Sequence, residues 1–144
     1  MLLVDTGVFV SVADRNEPRH APCVELFRDR RDLSVCAPVI AEAAWLIETR
    51  LGPAAEARFL TLVTSERFTI VDLTDVDYRR SIDLIARYTD LGLGFVDASI
   101  IAVERLIQQL DPKTISGTVI LVPLINVPSF EQKIAHVNPT DAKS

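Results

Sequence analysis

The chain has only two cysteines, Cys23 and Cys36, in 144 residues. They stand too far apart for a CxxC metal or redox pair, and they read as buried thiols in a reducing compartment, not as a disulfide. No basic segment precedes the first apolar run, and Asp5 interrupts that run in "MLLVDTG", which excludes a secretory signal peptide. No apolar stretch reaches the ~20 residues of a membrane-spanning helix; the longest near the C-terminus, "VILVPLINV", is far too short. These absences predict a cytoplasmic protein with no membrane association. Basic excess is missing too, since 15 Lys and Arg face 20 Asp and Glu for a net charge of -5. A polybasic grip on nucleic acid is thereby excluded, but an acidic site that reaches phosphate through bound metal is not. His20 and His136 form no spacing such as HExxH, and both read as surface residues. The chain also lacks internal repeats and low-complexity segments.

What is present suits a folded α/β domain. Hydrophobic residues make up 49% and charged residues 24%, enough apolar surface for a real core at this length. "MLLVD", "LSVCAP" and "RFTIVDL" read as strands. "TGVFVSVAD" and the amphipathic "EPRHAPCVELFRDRRD" follow the first strand, with Cys23, Leu26 and Phe27 able to share a face. "PVIAEAAWLIETRLG" is predicted helical from Pro38 to just before Gly52, and Pro53 opens "PAAEARFLTLVTSE". "TDVDYRRSIDLIARYTDLG" predicts a long helix stopped by Gly92, and the Gly92/Gly94 loop releases a last helix near Phe95. Alternating strands and helices imply a parallel sheet. Four of the eight prolines (Pro112, Pro123, Pro128, Pro139) fall in the last third. The domain is therefore expected to span 1–125, with 126–144 a loosely ordered tail.

Three acids sit where apolar residues are expected. Asp97 lies among Phe95, Val96, Ala98, Ile100 and Ile101, in the first helical turn, where the positive helix end stabilises it by ~0.3–1 kcal/mol. Asp5 ends the first strand, at the edge where open parallel sheets form ligand sites; an N-cap for the next helix explains it as well. Glu42 lies past its helix's first turn with Val39, Trp45 and Leu46 at helical spacing, so capping does not explain it. A glutamate leaning to solvent at the edge of the stripe is an equal explanation. Should the three converge, like charges about 5 Å apart repel by roughly 3 kcal/mol per pair at an effective dielectric of about 20. A divalent cation relieves that repulsion, and oxygen-only ligands favour Mg²⁺ or Mn²⁺ over zinc.

"LLVDTGVFVSVAD", "APVIAEAAWLI" and "GLGFVDASIIAVERL" resemble the three acidic motifs of PIN-domain ribonucleases, and in detail those of VapC-type toxins from mycobacterial toxin–antitoxin pairs. The resemblance covers residues 1 to about 106. It implies a three-layer α/β/α sandwich with a small central parallel sheet. It also implies Mg²⁺- or Mn²⁺-dependent endoribonuclease activity on single-stranded or looped RNA, neutralisation by a cognate antitoxin, and a homodimer. Position by position, Asp5, Glu42 and Asp97 match the family's first three acids and become the implied catalytic residues and metal ligands. Asp5 and Asp97 would bind metal directly, and Glu42 would bind a second ion or orient the water. Thr6 and Ser99 are near enough to support them, although capping explains each hydroxyl. Arg79, Arg80 and Arg87 can meet RNA phosphates or form a solvated helix face.

The family's fourth acid follows a short strand. The nearest match, Asp111 in "LDPKTIS", arrives too early, with only "IQQ" between "ERL" and "LD". Asp111 is therefore expected to lie far from the other three, leaving a site of three carboxylates. A divergent C-terminus also leaves open a non-catalytic PIN-like protein that only binds an antitoxin or other partner. The apolar helices "TGVFVSVAD" and "PAAEARFLTLV" are the expected antitoxin groove.

Overall fold

The computed structural model describes the backbone of residues 1–109 and the side chains of residues 1–103. Asp111, His136, the boundary at residue 125 and the tail at 126–144 lie outside the described residues. In chain order the elements are β1 (Leu2–Leu3), α1 (Thr6–Ala13), α2 (His20–Asp29), β2 (Leu33–Cys36), α3 (Ala37–Leu51), α4 (Pro53–Val63), β3 (Phe68–Val71), α5 (Asp75–Arg87), a 3-10 turn (Thr89–Leu91) and α6 (Phe95–Gln109).

Among the described residues the three strands form one parallel sheet in the order β1-β2-β3. Leu2 stands opposite Leu33, and Cys36 opposite Val71. Parallel neighbours need crossover connections, and helix pairs α1/α2 and α3/α4 supply them. The central strand β2 is buried along its whole length, which is why "LSVC" reads as a continuous run instead of an alternation. On β3 the inner Phe68 is buried, while Thr69 and Ile70 are exposed. Helices α1 to α4 pack on one another, whereas α5 packs on α6, and α6 reaches β2 and α3. The parallel α/β sheet is the one the alternation of elements predicts, and the sandwich is the one the PIN resemblance implies.

Four phenylalanines knit the core beneath α1. Phe9 packs against Phe27, Phe59 and Phe68 with ring centroids 5.2–5.6 Å apart. Edge and tilted aromatic contacts of this kind add ~0.5–1.5 kcal/mol per pair beyond burial. They fix the start of α1, and so Asp5, against the sheet.

Several local details differ from the sequence expectation. Helix α3 starts at Ala37, so Pro38 is its second residue; Gly52 caps its end with φ 84°. Helix α5 ends at Arg87, before Gly92, because Tyr88 leaves the helical region and a 3-10 turn follows, closed by Gly92 at φ 65°. Thr89 and Asp90, both poor helix formers, account for the early stop. His20 is half-buried, not a surface residue: its Nδ1 lies 2.9 Å from the Ser11 carbonyl oxygen and ties α2 to α1. Both cysteines are free thiols, Cys36 buried and Cys23 half-buried. No helix among the described residues is long and apolar enough to cross a membrane.

Exposed apolar surface also lies elsewhere than expected. On α1, Phe9 and Val10 are consumed by the core, and α4 exposes only Leu60 among its large apolar residues. Among the described residues the largest exposures belong to Trp45 on α3, Ile70 on β3, Val76, Tyr78 and Ile82 on α5, and Phe95 at the start of α6.

Candidate metal and catalytic site

Two helices begin at the same edge of the sheet, because β1 and β2 run parallel and each leads into a helix. Asp5 is the N-cap of α1, with extended backbone, and its Oδ1 accepts from the Thr6 N–H at 2.7 Å. Strand β2 passes into α3 without a loop, Cys36 serving as its N-cap. Glu42 then falls in the second turn of α3, half-buried and facing α1.

The link between them is Thr6. Its buried hydroxyl donates to Glu42 Oε2 at 2.6 Å, while its backbone N–H is bound by Asp5. One residue therefore holds two carboxylates at one corner of the sheet. Neither capping nor solvent accounts for Glu42; a cross-helix hydrogen bond does. Burial raises the pKa of Asp5 above its ordinary value, and repulsion from Glu42 adds to the rise. Backbone N–H groups of Thr6 and Gly7 act in the opposite sense. The corner is thus an acid pair under electrostatic load, the condition that a bound cation relieves.

Asp97 occupies the third position of α6, exposed at the positive helix end. Its Oδ2 lies 4.0 Å from where a Cβ on Gly94 would stand, an ordinary contact distance that a side chain there would not crowd. Among the described residues, no group of three or more His, Cys, Asp or Glu is gathered closely enough to hold a metal ion. The structure joins Asp5 to Glu42 through Thr6, and places Asp97 apart, at the start of another helix. Ser99 is fully buried and its hydroxyl donates to the Val96 carbonyl at 2.7 Å, so it serves its own helix.

The donor chemistry at the corner is all oxygen. Cys36 is near enough to feel both Asp5 and Asp77, but burial and these two acids push its pKa up to about 12. The oxygens of Asp5, Glu42 and Thr6 suit a hard cation. Asp77 itself is a residue the sequence reading passed over. It is 3% exposed, and its Oδ2 accepts from the Thr74 N–H at 2.8 Å and the Thr74 hydroxyl at 2.6 Å. The signal was present as "TDVD", a capping box in which an acid three residues after a threonine returns to the N-cap.

The PIN domain family model matches residues 2–107, a span that contains all three acids. The chain belongs to the PIN-domain family. Its PIN domain is 26% identical over 99 residues to ribonuclease VapC26 of Mycobacterium tuberculosis, a match covering 68% of this chain and 73% of that relative. In three dimensions it is similar to the crystal structure of VapC20 from the same organism, described as a sarcin-ricin loop cleaving toxin. That likeness has a TM-score of 0.70 at 19% identity, over 75% of this chain and 84% of the other.

Proposed function

We propose that this PIN domain is a VapC-type endoribonuclease toxin that hydrolyses RNA phosphodiester bonds with Mg²⁺ or Mn²⁺, and that a cognate antitoxin restrains it. The observation that carries the reading is the Asp5–Thr6–Glu42 corner: two carboxylates share one buried threonine at the C-terminal edge of a parallel sheet. The relatives' printed activities, ribonuclease and sarcin-ricin loop cleavage, agree with RNA as the substrate. A looped or single-stranded phosphodiester is accessible to such an edge, where a duplex is not.

Asp5, Glu42 and Asp97 are the residues assigned to hold the ion. Asp5 and Asp97 provide direct ligands, and Glu42, fixed by Thr6, binds a second ion or orients the attacking water. The metal supplies an activated water and charge neutralisation at the phosphate. Thr6 keeps Glu42 aimed at the corner in the absence of substrate. The burial that raises the Asp5 pKa also excludes water from one side of the acid pair. A homodimer and a cytoplasmic location belong to the same reading.

Purified protein incubated with pooled cellular RNA tests it. Cleavage is expected with Mg²⁺ or Mn²⁺ and none in EDTA. Cleavage that persists in EDTA would remove the metal from the mechanism. No cleavage with either ion would favour the binding-only alternative, in which the domain acts through an antitoxin or other partner.

A further inference from the structure

The site as described holds a phosphate-directed corner but nothing that touches a base. Candidates for that role are the exposed rings, because a single-stranded RNA is gripped by stacking its bases on aromatic faces. Tyr78 on α5 and Phe95 on α6 are stacked on each other, with ring centroids 5.9 Å apart and planes only 10° from parallel. Despite that contact, Tyr78 remains 48% exposed and Phe95 41%. Core aromatics in this molecule behave otherwise: Phe9 and Phe27 meet edge-on at 69° and are buried. A parallel, half-exposed pair is a platform whose stack a further flat ring extends.

Its position also suits RNA. Phe95 is the first residue of α6 and Asp97 the third, so the platform and the third acid stand at the same helix end. Arg79 follows Tyr78 directly and is 77% exposed. Its ion pair with Asp75, at 4.0 Å, involves a carboxylate 91% exposed, so the pair is weak and the guanidinium can turn to a phosphate. The stacked rings thus join α5, which also carries Arg79, to the α6 end that carries Asp97, in a chain of net charge -5.

Resting on the endoribonuclease reading, we propose that Tyr78 and Phe95 form a base-stacking platform for the nucleotide next to the scissile phosphate, with Arg79 on the adjoining phosphate. The substrate class is therefore RNA with an unpaired base at that position. The pair positions substrate and takes no part in the chemistry.

The test compares wild type with Tyr78→Leu, Phe95→Leu and Tyr78→Phe. Binding is measured in Mg²⁺ on a cleavage-silent Glu42→Gln background, with a short mixed-sequence RNA and with an abasic strand of equal length. Each leucine variant should weaken binding of the intact RNA by about 5- to 150-fold, the range for one stacked base. Abasic binding should be unchanged, and Tyr78→Phe should behave as wild type. In the cleaving protein the leucine variants should raise KM with little change in kcat. Leucine variants indistinguishable from wild type, or equal losses on both strands, would overturn the platform. So would a loss that accompanies dissociation of a dimer in sedimentation, which would assign the rings to a protein interface. If the wild type cleaves but the variants match it, only this inference fails; if the wild type neither cleaves nor binds RNA, the functional reading fails with it.

Discussion

The acids of this domain stand in two unlike settings. At the Asp5–Glu42 corner, the side chains are partly buried and held by named donors, under a charge repulsion that the protein alone leaves standing. At the start of α6, Asp97 is exposed on a helix end that favours its charge, the same end that carries the exposed ring of Phe95. The first setting is destabilised and fixed; the second is comfortable and open. On the proposed assignment the loaded corner would hold the ion together with Asp97, and the open edge would admit the polymer.

The largest expected effect treats the two settings alike. Asp5→Asn and Asp97→Asn should each lower RNA cleavage by about 10²-fold or more while the circular dichroism spectrum stays native, because on the proposed assignment each removes a ligand charge at nearly constant shape. Full cleavage by the Asp97 variant would restrict the site to the corner and break the pairing of the two regions.

An intermediate effect belongs to the corner alone. Thr6→Val removes the hydroxyl that holds Glu42 but keeps the backbone N–H that Asp5 accepts. It should cost about 1.5 kcal/mol in urea unfolding, the low end for a bond to a charged group because Glu42 is only half-buried. It should also reduce cleavage by about 10- to 100-fold, with Thr6→Ser restoring both. A Thr6→Val protein as active as wild type would mean that Glu42 needs no positioning.

The smallest effects should have opposite signs in the two regions. With its pKa raised by folding, Asp5 binds its proton more tightly in the folded chain than in the unfolded one. Its penalty is fully present above the folded pKa and disappears as pH falls through that value to the unfolded one. Asparagine keeps the cap, so Asp5→Asn in EDTA should melt higher than wild type at neutral pH, with the gap closing toward pH ~4. Asp97→Asn should instead melt slightly lower, by the ~0.3–1 kcal/mol of a lost helix-end charge. A shared direction for both variants would erase the distinction between a loaded acid and a comfortable one.

Much of this was legible before any coordinates. The parallel α/β arrangement follows from strands alternating with helices, and Gly52, Pro53, Gly92 and Gly94 mark boundaries at or near those observed. The last helix begins at Phe95, where the Gly92/Gly94 loop is expected to release it. Less legible was the end of α5, where weak helix formers overruled the glycine as a stop signal. His20 was hidden because its partner is a backbone carbonyl, which has no sequence signature. Asp77 was missed because a local capping pattern gives no sign that it will be buried.

By itself, the sequence determined where each helix and strand would form and which three acids interrupt apolar surroundings, because periodicity, caps and breakers act within a few residues of chain. Only the tertiary structure decided that Thr6 would bridge Asp5 to Glu42 across 36 positions, since that bond depends on two helices starting at one sheet edge. It likewise decided that Tyr78 and Phe95 would stack, and that the apolar residues of α1 would be spent on the core. Those outcomes depend on how helices pack, and packing is set by the shape of the whole core, not by any segment of the chain.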